Sequence, residues 1–131
     1  FQGLEYNRAL QSNADAVTRA LQAGEQWRAD LRAATAAPQP GETAGMTTLD
    51  IPQQGTGVGY AFGKNAVWRR NGAEGEWRRI VPHVRQSRMG AEQRVHTQVW
   101  RWELELKPSG KDTRLRPAFT FLGMTPKEVR Q

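Results

Sequence analysis

Arginine set beside tryptophan is the most chemically suggestive pairing in this chain. It occurs as Trp68-Arg69-Arg70, as Trp77-Arg78-Arg79 and as Trp100-Arg101-Trp102. Guanidinium groups bind phosphates and carboxylates, and indole faces accept cations. Interleaved on strands, the two residue types suit single-stranded nucleic acid, through backbone neutralisation and base stacking. Strand alternation offers a plainer account, with each Trp turned inward and its neighbouring Arg outward. That account suffices for Trp100 and Trp102, because Leu104 and Leu106 continue the same face. It does not suffice for the Trp-Arg-Arg triplets, which carry an Arg on both faces. Arg69, Arg70, Arg78 and Arg79 are therefore the candidate anion- or partner-binding residues.

Groups for bond-making chemistry are sparse. His83 and His96 lack the spacing of a metal-binding pair, and a lone His in a strand or loop is ordinarily a surface or hydrogen-bonded residue. Glu103 and Glu105 share a strand face, as paired carboxylates for acid–base work would. Arg101 beside them makes a surface charge ladder the simpler account. Gly55, Gly57, Gly59 and Gly63 imitate a phosphate loop, but they open no helix and no Lys-Ser/Thr pair follows. They read instead as a place where backbones approach closely. Asp50, Glu74, Glu76 and Asp112 are too scattered for the oxygen cage of a calcium ion. The sequence thus assigns no catalytic residue, no cofactor and no metal, and it predicts a protein that is not an enzyme.

The 131 residues suit one domain with a modest core. The absence of cysteine excludes disulfides and thiolate metal sites. A net charge of +6, mostly from Arg, attracts phosphate backbones or anionic lipid head groups.

The elements that must position these residues begin with a long amphipathic segment, residues 4–37. Leu10, Ala14, Val17, Leu21, Trp27, Leu31 and Ala34 form an apolar stripe at helical spacing, while Arg8, Asp15, Arg19, Glu25, Arg28, Asp30 and Arg32 occupy other faces. Gly24 lies in the stripe as its weak point, costing about 1 kcal/mol relative to Ala. No Pro interrupts the segment before Pro38. A helix of about 34 residues would be roughly 50 Å long, which exceeds the width of so small a domain. One end must project, pack on a neighbour, or continue into a further segment. Phe1-Gln2-Gly3 matches the end of a common protease-cleavable tag, so residues 1–3 read as a tag remnant.

Residues 38–54 read as a Pro/Gly/Thr-rich connecting loop with a short extended piece at 46–51. Residues 55–131 read as an antiparallel sheet. Its strands are predicted at 58–63, 66–70, 76–81, 95–106 and 115–122, with a hairpin turn at Lys64-Asn65 and a turn at Asn71-Gly72. Residues 83–93 read as loop or a short helical turn. Residues 4–131 are thus one α+β domain, a long N-terminal helix packed on an antiparallel sheet of about five strands.

This order resembles the pilin fold. Asp30-Leu31-Arg32-Ala33-Ala34 after the hydrophobic stripe, Val58-Gly59-Tyr60-Ala61-Phe62 and Val67-Trp68-Arg69-Arg70 are similar to short motifs of J-type minor pseudopilins of type II secretion systems. Residues 99–106 and 114–122 look like the closing strands of that family, and type IV pilus minor pilins, involved in adhesion or DNA uptake, share the same features. The resemblance implies a pilin-like fold and a periplasmic filament subunit that supports protein export. It also implies an anchor in the bacterial inner membrane through an upstream apolar helix, and other pseudopilin subunits as partners. By position, it gives Leu10, Ala14 and Val17 to subunit contacts and Leu21, Trp27 and Leu31 to the core. The alternative partner is nucleic acid, bound by the arginine surface.

Overall fold

The computed structural model describes residues 2–95, 97–108 and 117–129, the side chains of residues 2–13 and of residue 128 excepted. Helix α1 (Gln2–Arg32) is followed by β1 (Gln39–Thr43), β2 (Met46–Ile51), β3 (Val58–Gly63), β4 (Ala66–Asn71), β5 (Arg78–Val81), β6 (Val84–Gln93), β7 (Gln98–Leu106) and β8 (Ala118–Gly123). The strands form two antiparallel sheets, one of order β1-β2-β3-β4-β5 and one of order β6-β7-β8. This corrects the expected fold class. The chain is mostly β, with eight strands in two sheets among the described residues, and not a pilin-like α+β domain with one sheet of about five strands.

Two polar stretches account for the extra strands. Segment 38–54 contributes β1 and β2, and β1 is exposed along its whole length, so no apolar alternation marks it. Segment 83–93 is almost entirely β6, whose one fully buried side chain is Val84. β6 is held by register with β7, from Val84 opposite Leu106 to Gln93 opposite Gln98, and hardly at all by its own apolar face. The chain leaves the first sheet through Val81 and Pro82, then turns at His83, whose φ of 56° lies in the left-handed region. Val84 N–H then bonds Asn65 O (2.8 Å) and Lys107 N–H bonds His83 O (2.8 Å), which pins the second sheet to the first.

The core lies where the two sheets and the helix converge. Trp102 of β7 is fully buried there, 5.7 Å from the Trp27 ring of α1, 6.2 Å from Tyr60 of β3 and 5.2 Å from Phe121 of β8. Its indole N–H donates to Ser87 Oγ (2.9 Å), so this polar handle is satisfied within the protein. α1 packs against β8 on one side and β5 on the other. Approach to β8 depends on two glycines. A Cβ on Gly24 would overlap the Phe121 ring, and one on Gly123 would stand 2.7 Å from Leu31 Cδ1. Gly24, the expected weak point of the helix, is the notch that receives Phe121.

The buried stripe of α1 is Ala20, Ala23, Trp27, Leu31 and, just beyond its end, Ala34. Leu21, expected in the core, is instead 48% exposed. At about 100° per residue, Ala14, Val17 and Leu21 line a stripe about 110° round the helix from the buried one. The sequence holds two apolar stripes that merge into one when read at loose spacing. Among the described residues, no helix is long and apolar enough to cross a membrane.

Candidate functional site

Asp30 sits in the last turn of α1, within the buried stripe, and is only 4% exposed. A carboxylate there needs partners, and the first sheet supplies them. Arg69 of β4 donates Nε–H to Oδ2 (3.0 Å) and an Nη2 proton to Oδ1 (3.1 Å), a bidentate pair. Tyr60, directly across the ladder from Arg69, donates its hydroxyl proton to Oδ2 (2.5 Å). Gln26 donates to Oδ1 (3.1 Å), and Gln53 donates to the Asp30 carbonyl oxygen (3.1 Å). Burial, followed by the negative charge of Asp30, pushes the Tyr60 hydroxyl pKa well above its usual value. The hydrogen bond to Asp30 likewise raises Arg69 above the ordinary guanidinium value. The cluster locks the end of the helix onto the sheet.

Beside this lock runs an open groove of about 490 Å³, lined by Arg19, Gln22, Ala23 and Gln26 of α1, Arg69 of β4, and Arg78, Arg79 and Ile80 of β5. The antiparallel register places Arg78 opposite Arg69 and Arg79 opposite Trp68, with a bulge between Val67 and Trp68. Like charges directly opposed destabilise a ladder. Asp30 neutralises Arg69 and removes that conflict, leaving Arg19, Arg78 and Arg79 as the charged rim. None of these three forms an ion pair among the described residues.

Of the four candidate arginines, the structure brings Arg69, Arg78 and Arg79 to one groove and sends Arg70 elsewhere. Arg70 lies over the Trp77 ring at 4.2 Å, and Trp77 covers Gly59, whose Cβ would stand 3.2 Å from the indole. Trp68 turns its N–H to Gly63 O (3.0 Å). Neither indole lines the groove. Of the candidate subunit-contact residues, Ala14 is exposed and Val17 half-buried, while the side chain of Leu10 lies outside the described residues.

The remaining groups are dispersed. His83 is exposed at the corner between the sheets, and His96 lies outside the described residues. Glu103 is ion-paired to Arg101 (3.4 Å) and Glu105 to Arg85 (3.2 Å). Asp112 lies outside the described residues, and among those described no group of three or more His, Asp or Glu side chains is placed to hold a metal ion. Sequence reasoning missed Arg19, Gln22 and Gln26 as groove residues. Their signal was a third, polar face at i, i+3, i+7 spacing, distinct from both apolar stripes. No protein-family model, no curated protein and no solved structure matches the chain.

Proposed function

We propose that the protein is a structural, interaction-bearing subunit of a membrane-anchored assembly of the pseudopilus kind, working by protein–protein contact and not by catalysis. The observation that carries this reading is the second apolar stripe of α1. Ala20, Ala23, Trp27 and Leu31 satisfy the helix's need to bury apolar surface, yet Leu21 stands 48% exposed, with exposed Ala14 and half-buried Val17 on its stripe. An apolar stripe beyond what the sheets can cover suits a helix that packs on a neighbouring helix. The short motifs around Asp30 and in β3 and β4 suggest the J-type minor pseudopilins as the kind of subunit, with other pseudopilins as neighbours. The two-sheet architecture lends no support to that assignment, so the proposal stands on the helix. It places the domain in the periplasm, tethered to the inner membrane by an apolar segment upstream of the helix.

The test is the intact mass and N-terminal sequence of the full-length protein extracted from its native membranes. A processed, N-methylated terminus opening an apolar stretch of about 20 residues is the expected result. A protein released without detergent, lacking such a stretch, would overturn the proposal.

A further inference from the structure

We infer that the groove between α1 and β4–β5 is a docking site for an acidic, extended protein segment supplied by a partner. Its rim carries Arg19, Arg78 and Arg79, and among the described residues none of them is ion-paired and no acidic side chain lines the groove, the nearest on that helix face being Asp15, one turn before Arg19. Asp30 lies behind the groove with both oxygens committed to Arg69, so it does not cancel the rim charge. Three guanidinium groups on two elements suit several carboxylates spread along a chain. The amides of Gln22 and Gln26 add donors and acceptors for a peptide backbone, although Gln26 already gives one proton to Asp30. Ala23 and half-buried Ile80 provide apolar contact for side-chain stems. A volume of 490 Å³ lies within the range of about 300–1,000 Å³ typical of ligand sites.

The lining also separates this occupant from nucleic acid. Bases bound without sequence preference stack on aromatic rings, and among the described residues no aromatic side chain lines the groove. Trp77 is taken up by Arg70, and Trp68 is bonded to Gly63. Carboxylates need the guanidinium groups alone.

The groove deepens the assembly reading but does not depend on it. Positions 19, 22 and 26 lie about 140° round α1 from Ala14, Val17 and Leu21, on the spacing of about 100° per residue. The same helix therefore offers a polar face, which joins Arg78 and Arg79 of β5 in the groove, and an apolar face on nearly opposite sides. Such a pair of unlike surfaces allows contact with two different neighbours, which heterologous assembly requires.

Fluorescence anisotropy with a labelled dodecapeptide of alternating Glu and Ser tests the inference, with oligothymidylate of equal charge as the rival probe. The peptide should bind, lose affinity as salt rises, and bind at least tenfold more weakly to Arg78→Glu/Arg79→Glu. Neutral Arg79→Gln should weaken it several-fold, which guards against a charge-reversed variant that fails to fold. Arg88→Glu, on the exposed face of β6, should leave affinity unchanged. Leu21→Asn should also leave it unchanged, so that failure of the groove and failure of the apolar stripe read apart. No peptide binding, equal loss in Arg88→Glu, or tighter binding of oligothymidylate through the same arginines would each overturn the inference.

Discussion

At the scale of single residues, the lock around Asp30 controls how the helix meets the first sheet. Truncating one partner of a buried ion pair leaves an uncompensated charge and costs about 3–5 kcal/mol. Asp30→Leu should therefore destabilise the domain by that order, a large share of the roughly 5–15 kcal/mol a domain possesses. Asp30→Leu with Arg69→Met removes both charges and should recover much of the loss. Urea denaturation of the wild type, both single variants and the double variant gives the coupling energy, and simple additivity would refute the lock. Tyr60 adds a pH dependence. Its raised pKa means that the folded state keeps a proton which the unfolded chain releases near its ordinary value of 10.0. The stabilisation is complete below pH 10.0 and is lost as pH rises beyond it. Tyr60→Phe should be less stable at neutral pH yet lose less stability between pH 9 and pH 11, as chemical denaturation at the two pH values will show. Of this lock only Arg69, a candidate anion-binding residue, was legible in the sequence. Asp30 reads there as one more charge on the helix circumference, and only the cross-strand pairing of Tyr60 with Arg69 reveals what it holds.

At the scale of elements, legibility followed how each segment buries its apolar atoms. β7 announces itself through Trp100, Trp102, Leu104 and Leu106 on one face, because its own side chains fill the core. β6 does not, because it borrows its burial from β7 and turns Arg85, Gln86 and Arg88 to solvent. The Lys64-Asn65 turn was readable, and both residues adopt positive φ, 52° and 58°. Gly24 was readable as a glycine but not as a requirement. Propensity alone says that Gly24→Ala should stabilise α1 by about 1 kcal/mol. The structure predicts the opposite sign, since the added methyl group would overlap the Phe121 ring. Overpacking of that kind costs about 1–3 kcal/mol, so the net effect should be a lower melting temperature. Phe121→Leu should be destabilising alone but should lessen the penalty of Gly24→Ala in the double variant. A thermal melt of Gly24→Ala above that of the wild type would show that α1 and β8 are not in contact here.

At the scale of the whole molecule, the division into two sheets escaped the sequence because strand periodicity is the same whichever sheet a strand joins. The break falls at Pro82 and His83, a corner that reads in sequence only as the end of a strand. The helix escaped in a subtler way. Its loose apolar spacing combines a stripe that faces the sheets with another that does not, and the resemblance, carried over by position, gives Leu21 to the core although it is exposed. That separation yields a prediction about assembly. Val17→Glu and Leu21→Glu lie outside the fully buried core, and surface substitutions of this kind usually change stability by no more than about 0.5 kcal/mol. The double variant should therefore unfold at nearly the wild-type urea midpoint. In the full-length protein, however, two carboxylates would be desolvated in any helix–helix contact made through this stripe, at a cost far above that of the lost apolar area. Copurification or crosslinking with neighbouring subunits should fall at least tenfold, while acidic-peptide binding at Arg78 and Arg79 persists. If the double variant unfolds readily, the stripe belongs to the core after all. If it stays folded and assembles normally, the stripe makes no subunit contact and the assembly reading that rests on it is overturned, while the groove stands or falls on its own peptide-binding test.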